Sequence, residues 1–165
     1  MTAMATALHH FVKSQTNFMK IPQIEISVKY TGAKKSELKK LNTSRDVAQV
    51  MRELFNPSTI DWIEEFVMLC LNQERKVIGY YKVSVGGFAG TYADIKVIAT
   101  IALQCAASSV IVAHNHPSGS LKPSPADIAV TQRIKNGLAL LDIKLIDHII
   151  VTDESYYSFT DEGNC

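Results

Sequence analysis

The apolar positions of this 165-residue chain change period several times, and each change marks an element. Residues 1–22 show no clear period and read as a loose leader. Ile24, Ile26, Val28 and Tyr30 then alternate with Glu25, Ser27 and Lys29, the period-two pattern of a half-buried strand. The segment TGAKKSELKKLN that follows is a basic linker. Thr43, with Asp46 three residues on, has the form of a helix N-cap. Val47, Val50, Met51 and Leu54 fall at i, i+3, i+4 and i+7, which predicts a short amphipathic helix stopped by Asn56-Pro57. The continuous apolar run FVMLCL (66–71) predicts a central strand buried on both faces. NQERK turns the chain and VIGYYKVSV returns as a second strand. Gly86, Gly87 and Gly90 mark a flexible loop.

In the second half, Asp94 caps a helix running to about Ala107, and SVIVA (109–113) is another buried strand. HNHPSGSLKPSP is a proline-rich loop. A long helix is predicted from about Pro125 to Leu141, with Ile128, Ile134, Leu138 and Leu141 on its inner side. IKLIDHIIV is a strand, and YYSF a last short one. Strands and helices intermix without internal repeat. The expected fold class is therefore α/β, a mixed β-sheet flanked by helices on both faces.

Composition narrows the picture only a little. Apolar residues make up 47% and charged residues 20%, as in an ordinary soluble domain able to bury a core. The formal net charge of +1 gives no bulk pull toward nucleic acid or membrane. Lys34, Lys35, Lys39 and Lys40 could touch phosphate locally, but a solvated charge run explains them as well. Cys70, Cys105 and Cys165 are odd in number, far apart and without a C-x-x-C pair, so neither a disulfide framework nor a thiolate zinc site is indicated. Cytoplasm is the expected compartment. No run approaches the ~20 apolar residues of a membrane span, and the N-terminus makes a poor signal peptide.

The candidate chemistry lies in AHNHPSGSLKPSPAD. His114 and His116 stand two apart at a strand end, so both imidazoles point to one side if the backbone stays extended. Two neutral imidazoles so placed are good ligands for Zn2+, and a catalytic zinc takes three protein ligands and keeps a position open. Asp127, in the first turn of the next helix, is the candidate third ligand. Ser124 is placed to hold the reacting water or to donate to an oxyanion. A general base is still needed, and Glu64 and Glu65 at the mouth of the FVMLCL strand are both candidates. Each part has a plainer reading. Ser124-Pro125-Ala126-Asp127 is also a good helix start, a His-x-His pair occurs by chance, and paired glutamates suit a wet strand entrance.

In order, these parts resemble the JAMM motif of the MPN-domain metallopeptidases: an upstream glutamate, His-x-His, seven residues, then Ser-x-x-Asp. A closer resemblance is to the RadC family, a bacterial branch of that group. It is carried by HNHPSG (114–119), LKPSPAD (121–127), DHIIV (147–151) and YYSFTDEG (156–163), with IEEFVMLCLN and KVSVGG upstream. The resemblance implies a leader over 1–42 and a RadC-like JAMM/MPN domain over 43–165, with a three-layer fold related to cytidine deaminases. It implies His114, His116 and Asp127 as zinc ligands and Ser124 as the hydroxyl that binds water or oxyanion. It implies Glu64 as base, because Glu64 falls two residues before Phe66; Glu65 would lie on the opposite face. His148 reads either as a partner of a metal ligand or as a strand histidine satisfied in the core.

Three functions follow. The first is a zinc-dependent peptidase or isopeptidase acting on a peptide or protein. The second is a non-catalytic DNA-repair accessory or interaction module. The helix-hairpin-helix segment of longer RadC proteins, which would best support DNA binding, is not found here. The third, a metal-dependent nuclease, fits worst, because such sites are usually rich in carboxylates.

Overall fold

The computed structural model of the chain describes residues 22–30, 37–86 and 92–165. Among these residues three helices and five strands follow one another as α1 (Ser44–Leu54), β1 (Glu65–Leu71), β2 (Val77–Val85), α2 (Ile95–Gln104), β3 (Ser109–Asn115), α3 (Pro125–Ala139), β4 (Lys144–Val151) and β5 (Tyr156–Ser158). The strands form one sheet in the order β2-β1-β3-β4-β5. Only β3 and β4 run parallel; the other neighbours are antiparallel. The expected mixed α/β architecture is the one observed.

The helices begin where their caps direct. Thr43 and Asp46 form a reciprocal capping box on α1, and Asp94 accepts the Lys96 amide at the start of α2. Both faces of the sheet are covered. On one face Val47, Ala48 and Met51 of α1 pack on Val67, Leu69, Ile111, Ala113 and Ile149. On the other, Ile98 and Ala102 of α2 with Ile134 and Leu138 of α3 pack on Phe66, Met68, Val110 and Val112. The two residue sets alternate along β1 and β3, the signature of strands buried on both sides. Gly137 lets the second layer close up, since a Cβ there would stand 2.3 Å from Cδ1 of Ile95.

One irregularity matters for the site. Val110 of β3 pairs with Leu145, but Ile111 pairs with Asp147, so Ile146 is an extra residue in the ladder. A bulge of this kind flips the facing of all that follows. It turns Asp147 and Ile149 toward α1 and His148 toward α3.

Three expectations are corrected. Residues 22–30 form no strand; Ile24 and Ile26 are 84% and 68% exposed. An alternating pattern is buried only if a sheet accepts it as a further rung, and β2 forms its ladder with β1. Tyr30 reaches the domain, its ring against Gly79 and its hydroxyl 3.5 Å from the Cys105 carbonyl oxygen. On α3 the inner stripe is Thr131, Ile134 and Leu138, whereas Ile128 is 53% exposed. At 100° per residue, 131, 134 and 138 cluster with position 127, and 128 falls about a quarter-turn away. Leu141 lies past the end of the helix and is 39% exposed. α2 also stops earlier than expected, at Gln104. Lys39 and Lys40 of the linker are exposed, but Leu41 is buried in the α1-side core. Lys34, Lys35, Gly87 and Gly90 lie outside the described residues. No helix among the described residues is long and apolar enough to cross a membrane.

Candidate metal centre

β3 delivers His114 by simple alternation. Val110 and Val112 face α2 and α3, and His114 is the next residue on that side. It is buried and stacks on Phe66 with 5.9 Å between ring centroids. His116 lies just beyond the strand, yet its amide still donates to the Val151 carbonyl of β4 (3.1 Å). The backbone thus stays extended through His116, and both imidazoles point to one side: their Nε2 atoms are 2.9 Å apart. Gly119, at φ +74°, then turns the loop, with its amide returned to the His116 carbonyl. The histidines thus lie at the C-terminal end of the parallel β3–β4 pair, the usual place for a ligand in an α/β sheet.

α3 delivers the carboxylate. Ser124 and Asp127 make a reciprocal capping box, Oγ of Ser124 accepting the Asp127 amide at 3.2 Å and Oδ2 of Asp127 accepting the Ser124 amide at 2.6 Å. The two readings of this motif are therefore compatible. The cap fixes the rotation of the first turn, and that rotation aims Asp127 at the histidines. Asp127 Oδ1 lies 3.2 Å from His114 Nε2, and Oδ2 lies 3.5 Å from His116 Nε2. One ligating atom from each of His114, His116 and Asp127 falls within 4.8 Å of the others.

The donor set suits a cation. Nδ1 of His116 lies 2.6 Å from the carbonyl oxygen of Ser120, which can only accept. His116 therefore carries a hydrogen on Nδ1, and in the neutral ring its Nε2 presents a lone pair to the centre. A carboxylate presents lone pairs as well. Imidazoles whose outer nitrogen is committed to a carbonyl are the usual form of a metal-ligating histidine. His₂Asp offers three protein ligands, the number a catalytic zinc uses, whereas a structural site uses four.

Electrostatics agree. Burial pushes the Asp127 carboxyl up, but its close contacts with His114, His116 and Ser124 outweigh this and hold the group well below the usual carboxylate range. Contact with Asp127 raises His116; burial opposes this, and the Ser120 carbonyl and the charges of Asp127 and Glu64 add to the rise. The centre is thus strongly attractive to positive charge.

The two glutamates separate as the strand period requires. Glu64 precedes β1 with its carbonyl bound to the Gly86 amide (2.8 Å), and alternation places it with Phe66 on the histidine side. It is half-buried. Glu65 alternates with Val67 on the α1 side and is held by Lys82 at 2.6 Å.

Sequence reasoning missed two residues. Asn115, between the histidines, is fully buried on the α1 side. Its Oδ1 accepts the Glu65 amide (2.8 Å) and its Nδ2 donates to the carbonyls of Ile60 (2.6 Å) and Ile63 (2.8 Å). It thereby ties the histidine strand to the segment bearing Glu64. Thr131 is buried one turn below Asp127 on the inner stripe of α3. Position was the available signal for both: each is polar at a site where the period demands burial. His148 is fully buried, in contact with both His114 and Thr131, and burial lowers its pKa well below that of an ordinary histidine. A cavity of about 350 Å³ lined by Leu41, Ser44, Asp147 and Asp161 opens on the other face and includes none of the three centre residues.

The sequence profile of the RadC-like JAB domain matches residues 41–164. A UPF0758 protein of Flavobacterium johnsoniae is 42% identical over 127 residues, 77% of this chain and 54% of that protein. One from Porphyromonas gingivalis is 46% identical over 101 residues, 61% of this chain and 44% of that protein. The UPF0758 protein YfjY of Escherichia coli K12 is 42% identical over 100 residues, 61% of this chain and 62% of that protein. The chain thus spans about half the length of the curated relatives it matches.

Proposed function

Since the chain belongs to the RadC-like JAB domain family, we propose that it is a zinc-dependent hydrolase that cleaves an amide bond in a peptide or protein. The observation that carries this reading is the convergence of His114, His116 and Asp127 on one point, with the outer nitrogen of His116 already committed to a carbonyl. Zn2+ held there would polarise the substrate carbonyl and acidify a water. The remaining steps belong to side chains. Glu64 takes a proton from the attacking water and returns it to the departing amine as the C–N bond breaks. Ser124, whose oxygen already accepts the Asp127 amide, gives its hydroxyl hydrogen to the oxyanion. His116 and Asp127 stay in place because the loop carbonyl and the helix cap hold them.

The three cysteines are free, which suits a reducing cytoplasm. The second reading, a DNA-repair accessory, would rest on the basic linker. Only Lys39 and Lys40 of its four lysines are described, and both are exposed.

The test is elemental analysis of the purified chain beside Asp127→Ala, followed by peptide and isopeptide cleavage by Glu64→Gln. About one zinc per chain is expected in the wild type and none in Asp127→Ala. Glu64→Gln should keep the zinc and lose turnover by roughly 100-fold or more. A wild type that takes up no zinc at neutral pH would overturn the reading.

A further inference from the structure

Behind His114 runs a chain of hydrogen bonds that the proposed reaction does not use. Nδ1 of His114 lies 2.8 Å from Nε2 of His148. Nδ1 of His148 lies 2.6 Å from Oγ1 of Thr131, and Oγ1 of Thr131 lies 2.6 Å from the Asp127 carbonyl oxygen. All three side chains are at most 2% exposed, so water does not compete.

The direction of this chain is fixed from its far end. A helix carbonyl can only accept, and a hydroxyl has one hydrogen. The Thr131 hydrogen must therefore go to Asp127, and the same oxygen must accept from His148. His148 then carries its hydrogen on Nδ1 and offers a lone pair at Nε2. His114 fills that lone pair from its own Nδ1, which leaves Nε2 of His114 bare and facing Asp127 and His116. We propose that Thr131 and His148 are positioning residues that set the tautomer of His114, so that its Nε2 lone pair is presented to the metal before any metal arrives.

The inference rests on the metal-centre reading and deepens it. It gives His148 a role: Phe159 stacks on its ring at 4.7 Å and Phe66 tilts against it at 5.5 Å, clamping it in the plane the relay needs. The relay also links the two ligands. It begins on the backbone of Asp127 and ends on the ring of His114, so α3 must be seated before the histidine is set.

Thr131→Val is the direct test, because it keeps the shape and removes the hydroxyl. His148 then has no acceptor at Nδ1. The better-bonded arrangement places its hydrogen on Nε2, donates it to Nδ1 of His114 and moves the His114 hydrogen to Nε2, facing the metal. Nitrogen-15 NMR of the imidazoles at pH 8, in the metal-free chain, reads this without turnover. The wild type and Thr131→Ser should show His114 protonated on Nδ1, and Thr131→Val should show it on Nε2. Zinc affinity by chelator competition should fall about 10- to 100-fold in Thr131→Val and stay at the wild-type level in Thr131→Ser. A wild-type His114 protonated on Nε2 overturns the inference even if no variant folds. So does a folded Thr131→Val that binds zinc as tightly as the wild type. If the tautomers are as expected but the wild type takes up no zinc, it is the metal-centre reading that fails.

Discussion

Asn115 offers the sharpest test of how the centre is held together. Its carboxamide is fully buried and makes three hydrogen bonds, accepting from the Glu65 amide and donating to the carbonyls of Ile60 and Ile63. Asn115→Ala leaves one amide and two carbonyls without their partner. At about 1 kcal/mol for each bond, the loss is about 3 kcal/mol. For a domain of this size that corresponds to a drop in Tm of roughly 6–12 °C. Asn115→Asp separates hydrogen bonding from shape. It is isosteric and keeps an acceptor for Glu65, but it turns a second oxygen toward two carbonyls that also only accept. Its destabilisation should equal or exceed that of alanine, although it is the smaller change in volume. Both variants should also lower turnover beyond any loss of zinc, because the bonds to 60–65 are what fix Glu64 relative to His114. Urea unfolding of zinc-loaded protein, with zinc content measured in parallel, reads both effects. An Asn115→Asp variant as stable as the wild type would refute the claim that this side chain bridges the two segments as donor and acceptor.

Further expectations concern pH. Asp147 is buried, and that burial raises its pKa in the fold against hydrogen bonds from Ser158, Thr160 and His148. A raised carboxyl favours the fold most below its unfolded value of about 3.9, and that contribution is lost as pH rises through the higher folded value. Asp147→Asn lacks this slope, so its stability relative to wild type should improve as pH rises through that window; parallel urea-midpoint curves from pH 4 upward would contradict it. Zinc binding has the opposite sense. Asp127 raises the pKa of His116, so a proton competes for its Nε2 already above the ordinary histidine range. Apparent zinc affinity by chelator competition should fall on acidification, roughly tenfold per pH unit for each proton displaced. A flat profile between pH 8 and 5 would exclude His116 as a ligand.

How much of this was legible in the chain depends on whether a residue's role is local or relational. The caps were local, and Thr43, Asp94 and Ser124 sit where their spacing placed them. The histidine pair was nearly local, since it required only that β3 stay extended two residues past its apolar run, which the Val151 carbonyl ensures. Asp127 needed the helix to dock at the right rotation, and the same spacing that caps the helix supplies it. The alternating segment 24–30 failed because periodicity predicts a face but not a partner. His148 was undecidable for a definite reason. Without the extra residue at Ile146, alternation from Leu145 would send His148 to the α1 side, away from His114. A bulge leaves no mark in a pattern of apolar residues, so the facing of everything after it is lost to the reader of the sequence. Thr131 was hidden differently. It looks like a helix residue of ordinary propensity until Asp127, His148 and His114 are in place, when its single hydrogen decides which nitrogen of a distant ring is free. Such a role follows from the direction of hydrogen bonds across three elements, and only the fold supplies that direction.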